Sequence, residues 1–207
     1  MADSFTVFML GAEQPAWRTL LGDLGVRNVG LSFWSLHKRL PKKKLYSMEW
    51  DFDGVFLDSG GFSANKDPAA HTAGEWKAYG AKYIDFVLEH LDEITMVSEF
   101  DCLALGPSYI AEARNNVWST IPADKFLPIW HPEQGLPALD ELGERYPRIG
   151  VAQEHIAQPG LNITPHLNRL ANKGVRLHGL AMSRPDSIRH VRFDSVSSTS
   201  WLSAMRY

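Results

Sequence analysis

The chain has 207 residues, enough for one domain with a sizeable core, and its 44% hydrophobic and 22% charged content is ordinary for a soluble globule. With 21 Lys and Arg against 24 Asp and Glu, the formal net charge of −3 speaks neither for nor against nucleic acid, whose footprint is usually local. The single cysteine, Cys102, excludes an internal disulfide and a cysteine-rich zinc site and fits a reducing, cytoplasmic setting. No basic segment followed by an apolar stretch opens the chain, and no apolar run reaches the length of a membrane span, so a signal peptide and a membrane partner are not expected.

In chain order, β-rich runs alternate with helix-like stretches. The first strand is read over Phe5–Leu10, followed by a helix over Glu13–Leu24 and a strand over Val26–Phe33. A basic run follows, His37-Lys38-Arg39-Leu40-Pro41-Lys42-Lys43-Lys44, which suits either a solvated loop or a phosphate contact. Strand Gly54–Leu57 leads into Asp58-Ser59-Gly60-Gly61-Phe62. The long amphipathic stretch Ala73–Leu91 carries Trp76, Tyr79, Tyr83, Phe86, Val87 and Leu91 as one stripe, which reads as core. Strand Ile94–Asp101 precedes a helix over Pro107–Trp118, opened by Gly-Pro. Strand Phe126–His131 precedes a helix over Pro132–Tyr146. Strand Arg148–Gln153, helix Thr164–Lys173, strand Val175–Met182, a short turn of helix at Asp186–His190 and strand His190–Val196 follow. Ser200–Tyr207 suits a short last helix.

Strands that alternate with helices imply a parallel sheet, and near-continuous apolar runs suit strands buried on both faces. The fold class expected is α/β: a compact (β/α)8 TIM barrel in a single domain over residues 1–207, with a doubly wound open sheet as the alternative. A barrel gathers its chemistry at the C-terminal ends of its strands. On this reading Asp58, Asp101, His131, Gln153 and Asp194 all fall at such ends. At Asp58 a carboxylate stands where a strand stops, Gly60 and Gly61 let the backbone approach a ligand closely, and the Phe62 ring follows. That layout suits a pocket that holds a flat ring and moves its protons.

Five segments together resemble the tRNA-guanine transglycosylase superfamily. They are Leu57-Asp58-Ser59-Gly60-Gly61-Phe62, Phe100-Asp101-Cys102, the glycine-containing strand Arg148–Glu154, Gly179–Ile188 with its Pro-Asp-x-Ile turn, and Phe193-Asp194-Ser195-Val196. They occur in the family's order and cover roughly Val55 to Ser198. The family exchanges guanine in a nucleic acid for a 7-deazaguanine without cutting the backbone. The resemblance implies that Asp194 is the nucleophile at C1′ and Asp58 the general acid/base. It implies that Asp101 reads the guanine-type edge, and that the backbone at Gly150 and Val151 meets the base carbonyl or its 7-substituent. Phe62 on one side and Leu180 or Met182 on the other would sandwich the ring, with Gly60 and Gly61 beneath it. The family's Gln after the fifth strand is replaced here by Trp130-His131, which makes His131 a further candidate for substrate contact.

Physical chemistry supports the same division of labour. Displacing a base through an oxocarbenium-like state wants one carboxylate under the sugar and a second group to handle protons. A purine-like ring wants apolar faces and an acceptor for its N–H groups. For each strand-end Asp, the competing reading is a helix cap or turn residue.

The zinc-bearing subdomain of the tRNA enzymes has no counterpart in this sequence, and the histidines show no paired ligand spacing, so no metal or other cofactor is expected. The stretch Asp194–Trp201 is most like the DNA-directed branch of the superfamily, which places preQ0-type precursors into DNA. DNA is therefore the expected partner, with tRNA as the alternative. Lys38, Lys42, Lys43, Lys44, Arg184, Arg189 and Arg192 are the candidate phosphate contacts. The Ser/Thr run after Asp194 suits a phosphate contact or a cap for the last helix. A non-catalytic nucleic-acid-binding relative and a sugar hydrolase with the same carboxylate pair are the rivals.

Overall fold

The computed structural model of the chain describes residues 5–38, 52–158 and 160–204. Its elements begin with β1 (Thr6–Leu10), α1 (Pro15–Asp23), β2 (Asn28–Ser32), α2 (Phe33–Leu36), β3 (Gly54–Asp58) and α3 (Gly61–Lys66). They continue with α4 (Ala73–Glu89), β4 (Met96–Ser98), α5 (Gly106–Asn116), β5 (Phe126–Leu127), β6 (Ile129–Trp130), α6 (Gly135–Arg145) and β7 (Arg148–Ala152). The last are α7 (Gln153–Ile156), α8 (Thr164–Asn172), β8 (Arg176–Leu180), α9 (Pro185–His190), β9 (Ser195–Ser198) and α10 (Trp201–Ala204). Among the described residues, no helix is long and apolar enough to cross a membrane.

The chain divides into two compact units, residues 11–126 and residues 1–10 with 127–207. In the first unit the strand order is β5-β4-β3-β2; in the second it is β1-β9-β8-β7-β6. The pairings β2–β3 and β3–β4 in the first unit, and β1–β9, β8–β9, β7–β8 and β6–β7 in the second, are all parallel. Parallel strands that alternate with helices make this an α/β, TIM-like fold, the class that the sequence predicts.

Three differences from the sequence reading have clear causes. The expected strand 126–131 is two short strands, β5 and β6, because Pro128 between them has no N–H to give a ladder. The segment 61–66, to which the sequence assigns no element, is a helix, α3; Gly60 at φ 82° precedes it and its carbonyl accepts from Ser63 and Ala64. The last strand, β9, begins at Ser195 rather than at residue 190, because α9 runs to His190.

In residues 11–126 the core is aromatic. The stripe on α4 is buried as expected at Trp76, Tyr79, Tyr83, Phe86 and Val87, whereas Leu91 lies past the end of the helix and is only partly buried. The helix starts where it does because Thr72 and Glu75 form a reciprocal cap: Thr72 Oγ1 accepts from Glu75 N and Glu75 Oε2 accepts from Thr72 N. Phe33, at the start of α2, packs its ring 5.4 Å from Tyr79, 5.2 Å from Tyr83 and 5.3 Å from Phe86. The other unit packs Trp130, Leu139, Leu142, Ile149, Val151, Leu167, Leu170 and Leu177 into one aliphatic core.

A buried ion pair fixes the approach to the site in the first unit. Glu99, with its side chain 1% exposed, sits between β4 and Asp101 and takes a two-pronged contact from Arg114 on α5: Nε at 2.7 Å and Nη2 at 2.5 Å. Removing one partner of such a pair strands a charge in a low-dielectric interior. Arg114→Ala should destabilise the fold by about 3–5 kcal/mol in urea unfolding, and a change under ~1 kcal/mol would show that Glu99 finds compensation elsewhere.

Candidate active site

The turn Asp58-Ser59-Gly60-Gly61 is held by two hydrogen bonds of its own and by others from β4 and α4. Asp58 Oδ1 accepts from Gly60 N at 2.9 Å, and Ser59 Oγ accepts from Gly61 N at 3.2 Å. Ser59 N donates to Ser98 Oγ at 2.9 Å, which ties the turn to the end of β4. From behind, the Tyr79 hydroxyl donates to Ser59 O at 2.6 Å, and the Tyr83 hydroxyl to Ser98 O at 2.7 Å and Leu57 O at 3.3 Å. Burial, with Asp58's charge added, holds both phenols above their ordinary pKa, so they remain donors. The core stripe of α4 is thus also the support of the site.

Gly61 is required by a close approach. A Cβ at that position would lie 1.7 Å from Asp101 Oδ1. Asp101 therefore packs directly against the turn that begins at Asp58. Asp101 is 5% exposed, and its backbone carbonyl accepts from Asn65 Nδ2 while Asn65 Oδ1 takes Leu103 N. Phe62 is the opposite case: its ring is 63% exposed, a large apolar face on α3 in the residue after Gly61.

Asp58 is partly buried and its carboxyl is pushed up to about 7, by desolvation first, then by the charges of Asp101 and Glu13; the Gly60 amide and the Ser32 hydroxyl pull the other way. A carboxyl in that range can both give and take a proton near neutral pH. Glu13 and Ser32 belong to this site, and the sequence reading missed both. Ser32 stands in register with Asp58 across the β2–β3 pair, and its N–H donates to Glu13 Oε1. The signal available was the polar residue that ends the apolar run Val29-Gly30-Leu31, as Asp58 ends its own.

The residues expected from the other unit are placed differently. Asp194 does not end a strand; it precedes β9. Its N–H donates to Leu177 O at 3.0 Å and its Oδ2 accepts from Leu177 N at 2.8 Å, near the start of β8. The expected position at a C-terminal strand end is therefore corrected: Asp194 closes the N-terminal edge of the β8–β9 pair, the end of a parallel strand that serves stability rather than chemistry. Gly150 lies within β7, where its N–H is spent on Pro128 O at 2.8 Å and a Cβ would press on Leu127 and Ile129. Val151 is fully buried in the aliphatic core. Their expected contact with a base is replaced by packing.

Met182 is likewise core rather than a ring sandwich. It is 2% exposed and folds over Gly179, whose added Cβ would meet Met182 Cγ at 2.5 Å. Leu180 does end β8, at 9% exposure, and is followed by Ala181 at φ 54°, a left-handed conformation that a non-glycine residue rarely takes. His131 follows β6, 6% exposed, with its ring 5.1 Å from that of His155 and its N–H donating to Gln134 Oε1. Arg184 and Arg189 are exposed, and Gln153 Oε1 accepts from the amides of Ser183 and Arg184 at 2.7 Å each.

Arg192 is exposed, with its guanidinium on Asn172. Lys38 is exposed; Lys42, Lys43 and Lys44 lie outside the described residues. The serines after Asp194 are used internally: Ser195 and Ser197 hydrogen-bond the two ring nitrogens of buried His178, and Ser198 Oγ accepts from Ser200 N. Burial, then the charge of Arg148, holds His178 down to about 3, so it is a neutral strut. Among the described residues, no three His, Cys, Asp or Glu side chains are grouped as a metal site would need.

No protein-family model matches the chain, and no curated protein matches it.

The raised Asp58 carboxyl leaves a signature in stability. The folded chain holds this proton more tightly than an ordinary carboxyl of pKa 3.8 would, so acid favours the fold. The contribution is complete below about pH 4 and is lost as the pH rises toward and through about 7. Its size is a few kcal/mol at most, at about 1.4 kcal/mol per pKa unit. Urea midpoints from pH 4 to pH 8 should fall for the wild-type chain and fall less for Asp58→Asn; equal slopes would place the Asp58 carboxyl in its ordinary range.

Proposed function

We propose that the chain binds a guanine-type ring at Asp58 and Asp101 and exchanges guanine in DNA for a 7-deazaguanine. The observation that carries this reading is the Asp58 carboxyl, poised near 7 at a strand end beside a second buried carboxyl and an exposed ring. Asp101 would accept the N–H groups of the guanine edge, and Phe62 would cover a face of the ring. As the incoming base's nitrogen bonds to C1′, the bond from C1′ to the leaving base breaks; Asp58 gives its proton to the leaving base and takes the N–H proton of the incoming one, so bonds, charge and the Asp58 proton all balance. The target base must leave the stack to reach this partly buried carboxylate, at a cost of a few kcal/mol.

The nucleophilic role implied for Asp194 is not part of this proposal, because its carboxylate is engaged by Leu177 N before β9 begins. That same observation favours a second reading: a relative that holds guanine-type bases without exchanging them.

Incubation with guanine-labelled DNA, or labelled tRNA, and preQ0 separates the two. Release of labelled guanine from DNA, falling by about 10²–10⁴ in Asp58→Asn, supports exchange. Binding of preQ0 by calorimetry with no release from either nucleic acid would leave the second reading, and equal release by wild type and Asp58→Asn would contradict the role of Asp58.

A further inference from the structure

The ground beside Asp58 carries a second feature that the base-binding reading leaves unused. Trp34, on α2, comes two residues after Ser32, the register partner of Asp58. Its backbone rests on the glycine turn itself: a Cβ on Gly60 would meet Trp34 Cβ at 2.6 Å and Trp34 N at 3.3 Å. The ring is held from several sides, with Tyr79 at 5.6 Å, Trp76 at 5.9 Å, His37 at 5.6 Å and His71 at 6.4 Å between ring centroids. Yet it is not interior. Trp76 and Trp118 are 1% and 2% exposed, whereas Trp34 is partly open, with the exposed Lys38 ammonium 4.5 Å from its centroid. In the sequence, Lys38 is followed at once by Arg39 and then by Lys42, Lys43 and Lys44.

A rigid, partly open indole with an ammonium over it is the chemistry that receives a base and its phosphate together: the π-face stacks, the cation pairs with the backbone. Core packing does not explain it, because core packing closes over a ring, as it does for Trp76. A small-molecule pocket does not require a cation on a flexible exposed stem beside it. The glycine turn, in contrast, packs against the Cβ and backbone of Trp34 at Gly60, two residues along the chain from the carboxylate that would meet an extruded base.

We propose that Trp34 is the stacking platform for the nucleotide that flanks the target guanine in single-stranded DNA, and that Lys38 exchanges its contact with the indole for that nucleotide's phosphate. This rests on the reading of Asp58 and Asp101 as a base site, and it adds the strand that delivers the base. Binding through a stacked face tolerates any flanking base, since every base has a π-face, and it weakens with salt as the phosphate contact does.

Fluorescence anisotropy on the full chain, with a labelled single-stranded oligonucleotide holding one guanine, tests this. Trp34→Leu keeps an apolar side chain and removes the π-face; it should raise the DNA dissociation constant about 5- to 150-fold. Calorimetric affinity for free preQ0 should stay within twofold, and Trp34→Phe should regain most of the DNA affinity. Lys38→Gln should reduce the slope of log affinity against log salt by about 0.7. If Trp34→Leu fails to fold by circular dichroism, Trp34→Phe and Lys38→Gln still decide. An unchanged salt slope in Lys38→Gln, unchanged DNA affinity in a folded Trp34→Leu, or no DNA binding by the wild-type chain would overturn the platform. Loss of DNA affinity in Trp34→Leu alongside a failed base-exchange assay would leave the platform standing and count only against exchange.

Discussion

Two phenol hydroxyls carry the architecture of residues 11–126. Tyr79 and Tyr83 lie on the buried face of α4, where their rings fill the core beside Phe33 and Phe86. A buried phenol needs a partner, and a parallel strand that ends leaves carbonyls without one. The hydroxyls meet that need at Leu57 near the end of β3, at Ser98 at the end of β4 and at Ser59 within the turn. One helix face thus sets the core and the position of the Asp58 turn together. The same coupling explains why Gly60 and Gly61 are needed. With strand ends and helix fixed, the turn must pass Trp34 on one side and Asp101 on the other at less than the width of a methyl group.

The electrostatics follow from this enclosure. Asp58 has few routes to solvent, has Asp101 and Glu13 nearby, and receives partial compensation from the Gly60 amide and Ser32. Desolvation and like charge act together against ionisation, so the carboxyl titrates near neutrality. Glu99, two residues before Asp101, is deeper still but keeps a full counter-charge in Arg114. Two carboxylates of this unit thus sit in opposite settings, Glu99 against a counter-charge and Asp58 against like charge.

Much of this was legible in the sequence. The alternation of apolar runs with helical stretches gave the α/β class, and Asp-Ser-Gly-Gly-Phe marked the turn, although its glycines are needed to pass Trp34 and Asp101 rather than shown to approach a ligand. The aromatic stripe of α4 read correctly as core, since spacing reports the buried face. What spacing could not report was strand register. A shift of the last strand's start to Ser195 moved Asp194 from a strand's C-terminal end to a position before its N-terminal end, and took the expected nucleophile with it. Met182 and Gly150 show the related failure. Whether such a residue lines a site or packs inside depends on what it meets in space, here Gly179 three residues back for Met182 and the distant Leu127 for Gly150. Ser32 had only the faint signal of a polar residue ending an apolar run, and Glu13 none, because both reach Asp58 across space rather than along the chain.

The account turns on Asp58 holding a proton near neutral pH within a site for a flat, polar ring. Its most direct test is a ¹³C NMR titration of the Asp58 side-chain carboxyl, assigned by its loss in Asp58→Asn and repeated with saturating preQ0. The account requires a midpoint near 7 in the free chain and a change in that midpoint when the base is bound. A midpoint near the ordinary 3.8, unaffected by the base, would contradict it.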